Sequence, residues 1–569
     1  MLEKKSERDA KELIAVIILV NKLKYNKQLM REGLKRSVLL FSVGVLAVFF
    51  VCLYYYFLTS RYLGFSDGAK FAVVARNLVN GYGYGSDFTF YSPSLLTLAK
   101  NSLFGANGVP VLIPSTLSLF FKIFGTNDLS VILFSGTFYI LLVLMVYLVG
   151  SKIFGKLVGL LSAVVVAANL NYLDYATSGA SEPLYSFLTL FSTYLLLFKK
   201  KWTNLLFFAS LILLYLTKPQ GAVFILVLLF SWFIFNFSWK KGLILFFAAV
   251  GGIFMIDKTI LYPLSFKYPV YPIVTRGIQA IFQYSPTVAV SDALRGQVAG
   301  VVGITEVVKK VFYNLYNFYK LLPEILSPYL GALFIIGMLR WTKDKKENVL
   351  KILTVLIVIG SLLLTALTIS FYRYIHPIVP FVYIFAIDTL VWIVGKIFEK
   401  RMIVIITSTL LILFFTVGQT LGVIFLDSRF ERNTHNVGKP PVYVKLSWIL
   451  RDNTDKGQTV ITNLDTWGSW YGERKTVWFP LEPKQIIDSA TRLIPFDAIY
   501  LTSYLIDDEN YYMGADWRLI FNNPEDPKKW ICEGCGEIAK EFILKGVYSI
   551  PAFDNYERQD ATGVLFVRR

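Results

Sequence analysis

The sequence predicts a mostly α-helical, polytopic transmembrane bundle of about eleven spans, followed by a C-terminal α/β domain. Of 569 residues, 55% are hydrophobic and only 17% charged, against roughly a quarter charged in soluble domains. Long apolar runs recur between residues 37 and 426, many of them approaching the length needed to cross about 30 Å of hydrocarbon. From about residue 440 the composition turns to a mixed globular pattern. The formal net charge of +18 does not mark a nucleic-acid partner. Its basic residues fall in short clusters between apolar runs, as the positive-inside rule distributes them.

Residues 1–36 form a basic segment expected on the cytoplasmic side. Within it "LIAVIILV" (13–20) is too short to cross and is expected at the interface. The first long apolar run follows this polar stretch and is itself long enough to span, so it reads as an anchor rather than a cleavable signal peptide. Spans are expected near 37–59, 128–149, 157–170, 182–198, 203–217, 221–238, 242–262, 325–340, 350–370, 376–395 and 402–426, several short enough to require tilt or local thinning. Together these make a transmembrane domain over 37–426.

Lys152 with Lys156, "KKK" at 199–201, Lys240 with Lys241, "RWTKDKK" (340–346) and "KIFEKR" (396–401) mark every second loop as cytoplasmic. The N-terminus is therefore expected inside a cell (plasma or inner) membrane and the C-terminus outside. Segments 60–127, 169–183, 217–221, 263–324, 370–377 and everything after 427 fall on the outer face. In the large first outer loop, "VPVLIPSTLSLFFKIFG" (109–125) is apolar but broken by two prolines, and reads as an amphipathic helix lying on the membrane.

An extracytoplasmic α/β cap is expected over 427–569. "PVYVKLSWILRDN" has helical periodicity, while "QTVIT", "KTVWF", "DAIYLTS" and "GVLFVRR" have strand character. Cys52 lies in an apolar run, where a thiol acts as a small hydrophobe. "CEGCG" (532–536) supplies only half of a zinc site and reads as a local disulfide or two plain thiols. No internal repeat or matched pair of halves argues for a transporter.

The chemistry-bearing residues gather on the outer face. Asp67 follows the first span, where burial beside lipid is expected to raise its pKa and suit it to general-base work; the alternative is a solvated helix cap. Glu182 opens a span at its outer end, and Asp174 lies eight residues earlier. A carboxylate before Pro183 is also an ordinary helix start, but ionisable groups at membrane depth tend to face a cavity. Lys218, Arg373 and His376, with Arg76, Arg276 and Arg295 behind them, are the outer-face cations and polar groups able to meet an anion. Each has a plainer reading, as a headgroup-seeking side chain or a helix cap. The sequence has no dense acidic cluster suited to Mg²⁺ or Mn²⁺, so no metal or other cofactor is expected.

In order along the chain, "SDGAKFAVVARNLVNGYGYG", "VPVLIPSTLSLFFKIFG", "TSGASEPLYSFLTLFSTYLLL", "LLYLTKPQGAVFI" and "YRYIHPIVPFVYIF" resemble the polytopic GT-C glycosyltransferases, specifically the clan of protein O-mannosyltransferases and lipid A aminoarabinose transferases. The resemblance covers most of residues 40–400. It implies an enzyme that takes a sugar from a polyprenyl-phosphate carrier outside the membrane, with an acid in the first outer loop activating the acceptor. Asp67 matches that acid, Phe71 the aromatic that follows it, Glu182 the second acidic position, and Lys218 and Arg373 positions commonly basic in the clan. The stretch 86–108 looks like an insertion.

The implied reaction is inverting transfer to a protein, lipid or glycan acceptor. The partners are the lipid-linked donor and membrane lipids. Two alternatives stand beside it: an oligosaccharyltransferase or ligase using a lipid-linked oligosaccharide, and a non-enzymatic transporter of lipid-linked sugar. A membrane-embedded assembly module is a third class. "DTWGSWYGERK" (465–475) resembles the Trp-Trp-Asp-Tyr-Gly motif of oligosaccharyltransferases, but Ser469 and Trp470 interrupt it, and aromatic packing in the cap is the expected role.

Overall fold

The computed structural model describes residues 62–92, 103–106, 109–198, 202–218, 221–261, 303–368, 372–426, 440–488, 493–504, 513–551 and 560–569, with a few isolated residues besides. The N-terminal segment, nearly all of the first expected span, the 199–201 lysines, Arg276 and Arg295 lie outside the described residues.

Helix α1 (Ser66–Val79) begins the described fold, with Asp67 in its first turn and Arg76 in its last, a charge order that suits the helix dipole. Helix α2 (Leu112–Phe124) forms in the amphipathic stretch, tolerating Pro114 in its first turn. It buries Ile113, Leu117 and Phe121 while Leu119, Ile123 and Phe124 stay exposed. The bundle follows: α3 (Asp128–Ile153), α4 (Lys156–Ala167), α5 (Leu170–Ser178), α6 (Glu182–Leu197), α7 (Thr203–Thr217), α8 (Gly221–Asn236) and α9 (Trp239–Ile256). Then come α10 (Ile304–Ile325), α11 (Pro328–Leu339), α12 (Lys345–Leu367), α13 (Val379–Ile397), α14 (Arg401–Ile412) and α15 (Gly418–Leu426).

Among the described residues five helices are long and apolar enough to cross a membrane, and two pairs bent at a short break raise this to seven. Three shorter apolar helices, α2, α7 and α8, accompany them. The pair α4 and α5 bends by 59°. This turns the expected span at 157–170 into a helix that stops early and redirects its chain toward Glu182. Helix α10 fills part of the segment expected as the outer loop 263–324.

Deep in the bundle Asp388 of α13 pairs with Arg340, which also reaches Glu347 at 3.7 Å, and Glu347 pairs with Lys351 at 3.0 Å. The network ties α11, α12 and α13 together and leaves none of these charges alone in an apolar setting.

The C-terminal segment folds on a six-stranded sheet, and its strands are numbered with those of the first loop. β1 (Gly85–Ser86) and β3 (Phe104–Gly105) pair with each other. β2 (Phe88–Phe90) joins β4 (Thr459–Thr462), β5 (Lys475–Trp478), β6 (Ala498–Thr502), β7 (Phe542–Ile550) and β8 (Ala561–Arg568) in the order β2-β5-β4-β6-β8-β7. The first four strands in that order run parallel, and β8 pairs antiparallel with both β6 and β7.

Strand β2 comes from the insertion at 86–108 and pairs in register Phe88↔Thr476, Thr89↔Val477 and Phe90↔Trp478. The first loop thus contributes an edge strand to a sheet nearly four hundred residues later in the chain, in which every other strand comes from residues 459–568.

The sheet is buried on both faces, as parallel strands require. Val460, Tyr500 and Leu565 face the cluster shared with helix α16 (Val442–Asp452) and the bundle. Ile461, Ile499 and Phe566 face a second cluster with Trp517 and Ile538. The first cluster is continuous from α3 and α13 to α16, so the domain shares its core with the bundle.

One close approach sets where α1 lies. Gly179 has φ of +80°, and a Cβ placed on Gly68 would stand 2.6 Å from the Ser178 carbonyl oxygen. Only glycine at 68 lets the start of α1 rest on the turn before α6, next to Asp67 and Glu182. We expect Gly68→Ala to cost about 1–3 kcal/mol through overpacking, read as a lowered thermal midpoint of the protein in detergent.

Candidate active site

Four segments far apart in sequence meet where α1 rests on that turn. Asp67 stands in the first turn of α1 and Glu182 is the first residue of α6, followed by Pro183. Both carboxylates therefore sit at positive helix ends. Lys218 caps the C-terminus of α7, the end that favours a cation. Arg373 is carried on the tight turn Tyr372–Tyr374 before α13.

The four residues form two ion pairs. Arg373 Nη1 meets Asp67 Oδ2 at 2.7 Å, and Lys218 Nζ meets Glu182 Oε1 at 2.7 Å. Lys218 also donates to Ser181 Oγ at 3.3 Å. Aromatic rings wall the cations: the Arg373 guanidinium lies 5.1 Å from the Phe65 ring centre and 5.7 Å from that of Tyr374, while Lys218 lies 5.2 Å from Tyr374. Glu182 is only 1% exposed, whereas the Asp67 side chain keeps 32% of its surface and Arg373 22%. The Asp67 pair is the accessible one.

The expected rise in the Asp67 pKa is corrected here. Burial does push the carboxyl upward, but Arg373, Lys70 and Lys218 together outweigh it and hold Asp67 below the ordinary aspartate value. A loop acid near lipid looks desolvated in the sequence; its ion-pair partner, 306 residues away, is not visible there.

The remaining sequence candidates divide. His376 is fully buried, with Nδ1 3.2 Å from the Tyr175 hydroxyl and its carbonyl accepting from Tyr172 at 2.6 Å, so it packs between α5 and α13. Asp174 is exposed on α5, and among the described residues its carboxylate makes no hydrogen bond or ion pair with the cluster. Arg76 sits at the opposite end of α1 from Asp67. It pairs there with Asp87 at 3.1 Å and donates to the carbonyls of Ser469 and Trp470. It docks the C-terminal domain.

Sequence reasoning missed two members of the cluster. Lys70 stands one turn beyond Asp67 on α1, 5.3 Å from the Phe90 ring centre. Asp465 arrives from the C-terminal domain; its side chain accepts from Thr466 N at 2.7 Å and from the Ser66 hydroxyl, the charges of Asp67 and Lys70 act on it, and its own charge acts on Lys70. Lys70 carried a usable signal, since residues three apart share a helix face. Asp465 carried none.

The motif around it docks the domain. Trp467 stacks on Tyr443 at 4.4 Å, Trp470 stacks on Phe121 and donates to Asp128 at 2.7 Å, and the Tyr471 hydroxyl donates to Asp128 at 2.9 Å. Cys532 and Cys535 are joined as a disulfide. Among the described residues no three His, Cys, Asp or Glu side chains come together in a metal-holding group.

Residues 108–261 match a family model described as dolichyl-phosphate-mannose-protein mannosyltransferase. Among solved structures, ArnT from Cupriavidus metallidurans bound to undecaprenyl phosphate superposes with a TM-score of 0.50 and 12% identity, over 93% of this chain and 97% of that one. The same protein in the apo state gives 0.45 at 12% identity over 92% and 97%. The archaeal oligosaccharyltransferase AglB from Archaeoglobus fulgidus, in complex with an inhibitory peptide and a dolichol-phosphate, gives 0.46 at 11% identity over 81% and 69%. No curated protein sequence matches the chain. The family model covers 154 of the 569 residues, and the likeness to the undecaprenyl-phosphate complex of ArnT is a likeness of fold.

The buried Glu182–Lys218 pair is tested by breaking it. Lys218→Met alone strands a carboxylate in an apolar site and should cost roughly 3–5 kcal/mol. Adding Glu182→Gln should recover most of that loss in the thermal midpoint.

Proposed function

We propose that the protein transfers a sugar from a polyprenyl-phosphate carrier to an acceptor hydroxyl, with inversion at the anomeric carbon, on the extracytoplasmic face. The observation that carries this reading is the accessible Asp67–Arg373 pair, a proton acceptor set directly against a cation able to hold phosphate. The undecaprenyl phosphate named for the ArnT complex is a ligand of the kind this pair would meet.

In the proposed reaction Arg373 and Lys218 take the donor phosphate. Asp67 accepts the acceptor's proton as its oxygen bonds to the anomeric carbon, and the bond from that carbon to the phosphate oxygen breaks, its electron pair leaving on phosphate. Glu182 holds Lys218 in place and orients the sugar or the acceptor. Inversion needs the attacking oxygen and the leaving phosphate on opposite sides of one carbon, so the 2.7 Å pair must part as the donor enters.

That parting changes the base. While Arg373 is on Asp67 the carboxylate is a weak proton acceptor. Once phosphate draws Arg373 away, burial dominates and Asp67 becomes more basic. Donor binding thus activates the residue that the acceptor needs, and a lone acceptor meets a base that is switched off.

The Cys532–Cys535 disulfide suits an oxidising compartment and supports the outward placement of the domain, as does the clustering of basic residues in alternate loops. With two cations at the phosphate site the reaction needs no metal. Sugar and acceptor are identified by mass spectrometry of what accumulates on the lipid carrier, and what is lost from the envelope, in cells lacking the protein. Asp67→Asn should lower transfer in membranes by roughly 10²–10⁴-fold with no loss of folded protein; full transfer by that variant overturns the assignment.

A further inference from the structure

Asp465 is a residue whose presence the fold does not explain. Its φ is +53°, in the left-handed region that aspartate and asparagine enter more readily than other side chains bearing a Cβ. It is 7% exposed, in a domain otherwise anchored by aromatic stacking. Burial raises its carboxyl to about 6, which means that at neutral pH the charged form is held at a cost to stability. Asparagine would suit the same backbone and would carry no desolvated charge. A desolvated acid where a neutral isostere would fit, set against a cluster of charged groups, points to a group kept for function.

Its position says what that function is. Thr466 Oγ1 donates to the Ser66 carbonyl at 2.9 Å and the Ser66 hydroxyl donates to Asp465, so the turn at 465–466 is fastened onto the residue preceding Asp67. The charged groups acting on Asp465 are Asp67 and Lys70, both on α1. Behind Asp67 stand Arg373 and Lys218, with Glu182 and Tyr374 among the groups facing Arg373. Three cations therefore press on Asp67 and lower its basicity. Asp465 is the acid that the C-terminal domain sets against them.

We propose that Asp465 is a positioning residue for the transfer reaction: its carboxylate engages Lys70 and opposes the cations around Asp67, keeping Asp67 basic enough to take the acceptor's proton. The inference rests on Asp67 being the base. It gives the C-terminal domain a direct part in the chemistry, since a domain displaced from α1 takes Asp465 with it. Two nearby carboxylates push each other's proton affinity upward, and removing one lowers the other. Protonating Asp465 below about pH 6 has the same effect on Asp67 as deleting its charge.

The test uses the full-length protein in washed membranes of its own cells, which hold the native donor and acceptor, with product formation followed from pH 4.5 to 9. Wild type should show an acid limb near pH 6. Asp465→Asn should lose about tenfold or more at neutral pH, and its acid limb should vanish or move to lower pH.

Stability supplies a readout independent of activity. Raising an acid's folded-state pKa stabilises the protein at low pH, and that benefit is lost as pH rises through the folded value. The purified Asp465→Asn protein should therefore melt higher than wild type at pH 7.5 and converge with it below about pH 5. Asp465→Gly, which accepts the same φ, should behave alike and replaces Asn if that variant folds poorly.

Asp465→Asn that transfers at the wild-type rate with the wild-type pH profile, while Asp67→Asn is inactive, overturns the inference alone. Transfer by Asp67→Asn overturns the reading beneath it.

Discussion

The contact between Asp67 and Arg373 is the constraint on which the rest of the structure depends. It joins the helix after the first expected span to the turn before α13, two places separated by 306 residues. Each end is fixed by something other than the pair itself. The Asp67 end is seated by the glycine contact with residues 178–179 and by Leu63, whose N–H donates to the Tyr471 hydroxyl and whose carbonyl accepts from Tyr443. The Arg373 end is fixed by the turn into α13, where Tyr172 holds the His376 carbonyl. An ion pair imposed from both sides in this way can be opened by a competing anion and will re-form when that anion leaves. Its ends lose little rotational freedom on closing, which is where exposed pairs spend most of their strength.

The C-terminal domain is built into that constraint. Strand β2 enters its sheet from the first loop, Arg76 donates and Asp128 accepts hydrogen bonds across the boundary, and one hydrophobic cluster runs through both parts. A domain held by a hinge alone would have left the α1 surface open to water. Here the interface buries Asp465 and half-buries Lys70 beside Asp67. Burial is what gives these charges leverage on one another, because Coulomb energy falls as effective dielectric rises.

Much of this was legible in the sequence, and what was not has a physical reason. Helices with continuous apolar faces declared themselves, as did β4, β5, β6 and β8, whose residues are buried on both sides. Strand β7 was missed because, as an edge strand, it buries only Phe542 and Ile550 at its ends, and Lys545 and Gly546 break its apolar run. Strand β2 was missed because a three-residue strand takes its meaning from a partner nearly four hundred residues away. At the site, Asp67, Glu182, Lys218 and Arg373 were found as separate residues of suitable chemistry. Their pairing was not, and with it went the direction of the Asp67 pKa: charge partners are decided by the fold, whereas proximity to lipid can be read from the chain. The motif at 465–475 showed its aromatic character but not the acid at its head that the backbone bends to present.

The charges at the site also balance in a way that bears on the chemistry. Asp67, Glu182 and Asp465 oppose Lys70, Lys218 and Arg373, so the ligand-free cluster is neutral overall. A sugar linked through a phosphodiester brings one negative charge; the phosphate it leaves behind carries close to two near neutral pH. In the proposed reaction the additional charge arises at the moment the acceptor's proton reaches Asp67 and cancels the charge there. Net charge in the buried cluster is the same before and after transfer. What changes is its location, from the carboxylate to the phosphate, toward Arg373 and Lys218. An apolar surrounding that would penalise any change in net charge is indifferent to this redistribution, and the cations, attracted more strongly to the departing phosphate than to the incoming diester, stabilise the transition state more than the bound donor. The same preference would retain the spent carrier, so in the proposed cycle the return of Arg373 to Asp67 is the step that competes the phosphate away and readies the site for the next donor.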